Sequence, residues 1–107
     1  MNSALLVLLF CFLLVSYGEE KEKTLQERAE LGDANAQFNL GVMYDNGKGV
    51  TEDDVVAYMF FNLAAANGGA GEVNMDKLKR RMTKEQIAEG QKLTREWVAR
   101  KAKEKGE

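Results

Sequence analysis

The sequence predicts an all-α domain, a helical hairpin module closed by a C-terminal capping helix and preceded by a signal peptide. Three observations predict it. Two apolar segments, Ala36 to Tyr44 and Val55 to Ala66, flank a turn rich in Gly and Asp. Helix-start chemistry recurs along the chain, at Thr24 with Glu27, at Asp33, at Thr51 with Asp54, and at Thr83 with Gln86. No segment alternates apolar and polar residues with the two-residue period of a strand.

The first 18 residues read as a segment apart from the domain. Ala4 to Val15 is an unbroken apolar run of 12, followed by Ser16-Tyr17-Gly18 and then the charged Glu19-Glu20-Lys21. That layout is a secretory signal cut after Gly18, although no Lys or Arg precedes the run. The run is shorter than the ~20 residues needed to cross a bilayer. An uncleaved anchor is the alternative, and would be the chain's contact with a membrane. Cys11 is the only cysteine and lies inside the run. Large Phe10 before it does not suit a lipid-modified cysteine. The remaining chain then has no thiol and no disulfide, which fits export to a periplasm, or secretion, without disulfide staples.

Residues 19–23 form a charged leader, and residues 24–100 the helical domain. Thr24 and Glu27 make a capping box for a first short helix, Thr24 to Leu31, with Leu25 and Ala29 as its apolar edge and Gly32 as its stop. Asp33 caps a second helix from Ala34 to about Asn46. Ala36, Leu40, Met43 and Tyr44 share one of its faces; Phe38 and Val42 lie on the other. Gly41 sits between those faces. Glycine inside a helix costs ~1 kcal/mol against Ala, a cost explained where another backbone comes close. Asn46-Gly47-Lys48-Gly49 turns the chain, and Val50 plugs the turn.

Thr51 is the expected N-cap of the third helix, with Asp54 at the capping-box position. The acids Glu52, Asp53 and Asp54 then sit in the first turn, where the helix dipole favours them. From Val55 to Ala66 the only strongly polar residue is Asn62. Val55, Met59, Leu63 and Ala66 make one stripe; Ala57, Phe60 and Ala64 make another. A helix that is apolar nearly all round must be covered on several sides, so this one is the expected hub. After Gly68 to Gly71, a fourth helix is expected from Glu72 to Met82, with Val73, Leu78 and Met82 as its edge. Thr83 and Gln86 open a fifth, Lys84 to about Lys103, with the stripe Ile87, Gly90, Leu93, Thr94, Trp97 and Val98. Residues 101–107 read as a charged tail in which that helix frays.

The motif that carries most information is A-E-L-G-D-A-N-A-Q-F-N-L-G-V-M-Y-D-N-G-K-G-V-T-E-D-D, followed by A-Y-M-F-F-N-L-A-A-A-N-G. It resembles a Sel1-like repeat, a tetratricopeptide-like helical hairpin that stacks into α/α solenoids. The matching positions are Ala36, Leu40, Gly41, Tyr44, Gly47, Gly49, Val50, Asp53, Ala57, Ala64, Ala65 and Gly68. They span one full repeat, about residues 33–68. Leu25 to Gly32 resembles the tail of a preceding repeat. The segment R-R-M-T-K-E-Q-I-A-E-G-Q-K-L-T-R-E-W resembles the closing helix of some Sel1-like proteins. The resemblance implies a protein-interaction module, and one repeat with two fragments, where solenoids usually need three or more, implies a minimal, capped form of it.

The residue inventory agrees with a non-catalytic protein. The chain has no His, and no Ser or Cys beyond residue 18. Nucleophile-and-base triads and Cys/His zinc sites are excluded there. Glu52, Asp53 and Asp54 are explained by helix capping rather than by a metal. Asp45 to Gly49 fails the calcium-loop pattern, because Gly47 and Gly49 stand where ligands are needed and Val56 where a bidentate Glu is needed. No cofactor is expected. Bases dominate residues 77–107, 11 against 5 acids. Apart from Trp97, which is expected in the core, no aromatic residue interleaves them for base stacking, so nucleic acid is not an expected partner.

Two partner surfaces are expected. Phe38, Tyr58 and Phe61 lie off the main stripes and are candidate anchors for another protein. Lys79, Arg80 and Arg81 form a basic cluster for an acidic partner. Trp97 is expected in the core. An exported scaffold or adaptor is the leading reading. A homodimer that completes a truncated solenoid is the second. A carboxylate-dependent hydrolase, resting on Asp53 or Asp54, is the third.

Overall fold

The computed structural model describes residues 23–106. The expected signal peptide, Cys11 and nearly all of the charged leader lie outside the described residues. Five helices and no strand occur among the described residues: α1 (Leu25–Glu30), α2 (Ala34–Asn46), α3 (Asp54–Ala66), α4 (Glu72–Lys79) and α5 (Lys84–Glu104).

Capping chemistry places most of the boundaries. Thr24 Oγ1 accepts from the Glu27 N–H at 3.1 Å and starts α1. Asp33 Oδ1 accepts from the N–H groups of Asn35 and Ala36 at 3.0 and 3.2 Å, and α2 runs to Asn46 as expected. Gly47 then takes φ 67°, the left-handed conformation that closes a helix without a Cβ clash. At α5 both halves of the capping box form. Thr83 Oγ1 accepts from the Gln86 N–H, and the Gln86 side chain accepts from the Thr83 N–H at 2.8 Å.

Three boundaries differ from the sequence expectation. The N-cap of α3 is Asp53, not Thr51; its Oδ1 accepts from the N–H groups of Val55 and Val56 at 3.0 and 3.1 Å. The cause is a return contact. The Asp53 N–H donates to the Tyr44 carbonyl at 2.9 Å, which keeps the chain extended against the end of α2 until residue 53. Helix α4 stops at Lys79, because residues 80–82 turn tightly to reach the Thr83 cap. Helix α5 does not fray at Lys101 but stays helical to Glu104.

Helix α3 is the hub, packed by α2, α4 and α5, while α1 packs on α2. Seven of its residues are buried: Ala57, Tyr58, Met59, Phe60, Phe61, Leu63 and Ala64. They face two cores. Met59, Phe60 and Leu63 meet Ala29, Ala36, Leu40 and Trp97. Ala57, Tyr58 and Phe61 meet Leu78 and Met82. Trp97 is in the core as expected, its ring edge-on to Phe60 at 5.6 Å. Two glycines inside helices allow close approaches. A Cβ at Gly41 would lie 2.7 Å from the Phe61 ring, and one at Gly90 would lie 2.6 Å from Tyr58 Cδ1. Val73 and Val98, expected on apolar edges, are 66% and 53% exposed. Val73 lies on the far side of α4 from Met75 and Leu78, which pack in the core, and Val98 continues the line of Gly90 and Thr94 to where α3 ends.

Candidate functional site

Helices α3 and α5 run parallel, because Tyr58 meets Gly90 and Asn62 meets Thr94, with Asn62 Nδ2 3.3 Å from Thr94 Oγ1. Counting on from that pair, Ala66 at the end of α3 stands level with Val98. The α5 residues from Val98 to Glu104 therefore project past α3 by about 9 Å, at 1.5 Å per residue. This overhang forms one wall of a cleft of about 380 Å³, and the α1–α2 turn at Leu31 and Gly32 forms the other. Leu63, Trp97, Gln37 and Asn67 complete it.

A hydrogen-bonded hub stiffens the floor. Gln37 is fully buried; its Nε2 donates to the Ala29 carbonyl at 3.0 Å, and its Oε1 accepts from Asn67 Nδ2 at 2.9 Å. One side chain thus ties the end of α1 to α2 and to the end of α3. The rim is ionic. Lys101 Nζ reaches Glu30 Oε2 at 2.5 Å and Glu104 Oε2 at 3.1 Å. Arg100 lies 3.5 Å from Glu30 and 4.9 Å from the Trp97 ring centroid. Partial burial pushes the Glu30 carboxyl up. The Lys101 hydrogen bond and charge, with Gln26 and Arg100, outweigh that and hold it below its ordinary value. Hydrogen bonds from Glu30 and then Glu104 hold the Lys101 ammonium above its ordinary value. The lips are apolar: Leu31 is 68% exposed and Val98, facing the same cleft, is the second lip.

The expected partner anchors are largely elsewhere. Tyr58 and Phe61 are buried in the core, covered by α5 and by α2 with α4, and present no surface to a partner. Phe38 is half-buried, its ring 5.5 Å from Phe61. Of the basic cluster, Lys79 and Arg80 are exposed, but Arg81 is spent within the fold. Its guanidinium pairs with Asp54 at 2.8 Å and also with Asp45, joining the α4–α5 turn to the end of the hairpin where α2 turns into α3. Those carboxylates, Asp54 first, raise the Arg81 pKa. The acids 52–54 separate likewise, Asp53 to its cap and Asp54 to Arg81. No group of three His, Cys, Asp or Glu side chains among the described residues is arranged to hold a metal ion.

The signature residues take roles in the hairpin. Ala36, Leu40, Gly41, Ala57 and Ala64 are buried between α2 and its neighbours, while Val50 and Ala65 are half-buried. Tyr44 stacks on Phe60 at 5.8 Å. Gly49 and Gly68 adopt φ 77° and 82° at the turns. Residues 34–69 match the family model of the Sel1 repeat. The segment is a Sel1 repeat. No curated protein and no solved structure matches the chain. Helices α2 and α3 with the Gly68-Gly69 turn constitute the repeat, and α1, α4 and α5 are additions that cover it.

The cleft residues Leu31, Gln37, Asn67 and Lys101 were not expected in a site. Only Gln37 carried a signal: positions 37, 40, 41 and 44 follow helical spacing, so this amide occupies a core register. The cleft depends on how far α5 outruns α3, which no local pattern encodes.

Proposed function

We propose that this protein is a non-catalytic, exported Sel1 repeat module that binds another protein, as a scaffold or adaptor. Sel1 repeats mediate protein–protein interaction. The observation that carries the reading here is the cleft beside the repeat, with exposed Leu31 and Val98 at its lips while most of the other large apolar side chains among the described residues are packed. Exposed apolar side chains gathered at one concave place mark an interaction site more than the same residues scattered singly. Export rests on the apolar run Ala4 to Val15 with its Gly18 junction. No helix among the described residues is long and apolar enough to cross a membrane.

The test is site-specific photo-crosslinking in cells expressing the full chain, with the photoreactive residue at Leu31, Val98, Phe38 and exposed Glu89. Defined adducts with a second protein from Leu31 and Val98, absent from Glu89, are expected. Adducts from none of these positions would overturn the module reading. Adducts at twice the chain's own mass would replace it with the homodimer.

A further inference from the structure

The charges around the cleft say what chemistry it accepts. Glu30 and Glu104 are both held by Lys101, with Arg100 reinforcing each, so the two acids of the rim are neutralised from within. Lys105 also lines the cleft and has no carboxylate partner among the described residues. What faces an incoming molecule is therefore an apolar trough with Leu31 and Val98 at its lips and Leu63 and Trp97 in its floor, and with Lys105, unpaired among the described residues, at its end. The cleft is small, near the lower end of the ~300–1,000 Å³ usual for ligand pockets. It opens on the surface, so side chains of a passing segment fit where a folded domain would not.

Resting on the interaction-module reading, we propose that the cleft receives a short apolar segment of a protein partner followed by a carboxylate. The apolar side chains lie between Leu31 and Val98 over Trp97, and the carboxylate meets Lys105. A second copy of the chain fits the patch poorly. A stable interface of that kind buries ~1,200–2,000 Å². The other large apolar residue exposed among the described residues, Val73, is not in the cleft. A phosphate-rich partner fits no better, since the remaining rim cations are already paired.

The test uses two capped pentapeptides, Leu-Leu-Phe-Asp-Asp and Leu-Leu-Phe-Lys-Lys, titrated into isotopically labelled protein recovered from cells expressing the full chain. The acidic peptide should saturably shift the Trp97 indole N–H and the amides of Leu31 and Val98. It should bind about three- to fivefold more tightly than the lysine peptide, as one exposed ion pair allows. That preference should vanish in 0.5 M salt, where screening is short-ranged. Lys105→Glu should reverse it, and Leu31→Asp should remove binding of both peptides. Both substituted side chains are exposed, so the helical circular dichroism signal should persist. Equal affinity for the two peptides, insensitivity to Lys105→Glu, shifts mapping away from the cleft, or no binding at millimolar peptide would each overturn the proposal. If such a failure coincides with heterologous crosslinks in the cell, the module reading stands and only the stated partner chemistry falls.

Discussion

At the scale of the residue, Gly90 shows how a local cost becomes intelligible. Glycine in mid-helix is unfavourable by about 1 kcal/mol relative to Ala, yet this one lies where the Tyr58 ring presses on the α5 backbone. Gly90→Ala should therefore lower stability, by roughly 1–2 kcal/mol net, because overpacking of about 1–3 kcal/mol exceeds the propensity gain. Chemical denaturation checks it; a stabilised variant would mean that α5 moves away without penalty. Gln37 supports a second expectation. Gln37→Glu puts a carboxylate against the Ala29 carbonyl, in a fully buried place. The loss should be about 3 kcal/mol or more at pH 8. It should shrink on acidification, because burial raises the introduced carboxyl's pKa and its protonated form can donate to that carbonyl. Denaturation midpoints at pH 8 and pH 5 measure the difference. Gly41 was legible as a close-approach residue from its place between two apolar faces, though it is the Phe61 ring and not the expected backbone that comes close. Tyr58 and Phe61 were misplaced as anchors, because a helix apolar on every side gives no clue to which side stays open. Here α2, α4 and α5 leave neither of them uncovered.

At the scale of the element, caps decide where helices begin, and α3 separates two capping candidates. Asp53→Ala removes two side-chain hydrogen bonds to the first turn and should cost about 1 kcal/mol. Thr51→Ala, two residues before the N-cap, should change stability by less than about 0.5 kcal/mol. The reverse order in thermal melts would restore the cap read from the Thr51 to Asp54 pattern. That pattern misled because the contact from Asp53 N–H to the Tyr44 carbonyl is a tertiary event. The Thr83 and Gln86 box was legible because both of its partners are local. The pair joining α1 to α5 adds a pH dependence. Glu30 titrates lower in the fold than its ordinary value of 4.5. Its stabilisation is thus complete above that value and disappears as the pH falls through the folded-state pKa. Lys101 is raised above its ordinary 10.5, so its share is complete below that value and is lost as the pH climbs through the folded-state pKa. Between those limits the bridge holds. Glu30→Gln should flatten the acid limb of the stability profile by up to about 1 kcal/mol, the worth of a largely exposed pair. An acid limb identical to that of the unsubstituted protein would show that Glu30 does not couple α1 to α5.

At the scale of the whole molecule, the question is how the two helices of the repeat are covered. Solenoid repeats borrow their cores from neighbours, and the sequence showed one repeat with fragments on either side. It did not show that the fragments suffice, since closure depends on three distant meetings. Gly90 lets α5 reach α3, Arg81 fastens the α4–α5 turn to the hairpin, and Gln37 fastens α1 to both repeat helices. With these in place the ends of the stack are polar. Gln26, Glu27 and Arg28 are exposed on α1, and Glu72, Asp76 and Lys77 on α4, as expected of terminal caps. Leu31, Val73 and Val98 are the large apolar residues left exposed among the described residues, and Val73 stands apart from the cleft. Such a surface supports a monomer. Light scattering on the purified protein should therefore return one chain's mass at every concentration, unchanged by Val98→Asp. A mass that rises with concentration and falls back with Val98→Asp would show that the cleft serves self-assembly. The leftover apolar lips would then be completing the solenoid with a second copy, and the search for an outside partner would move to the exposed face of α5.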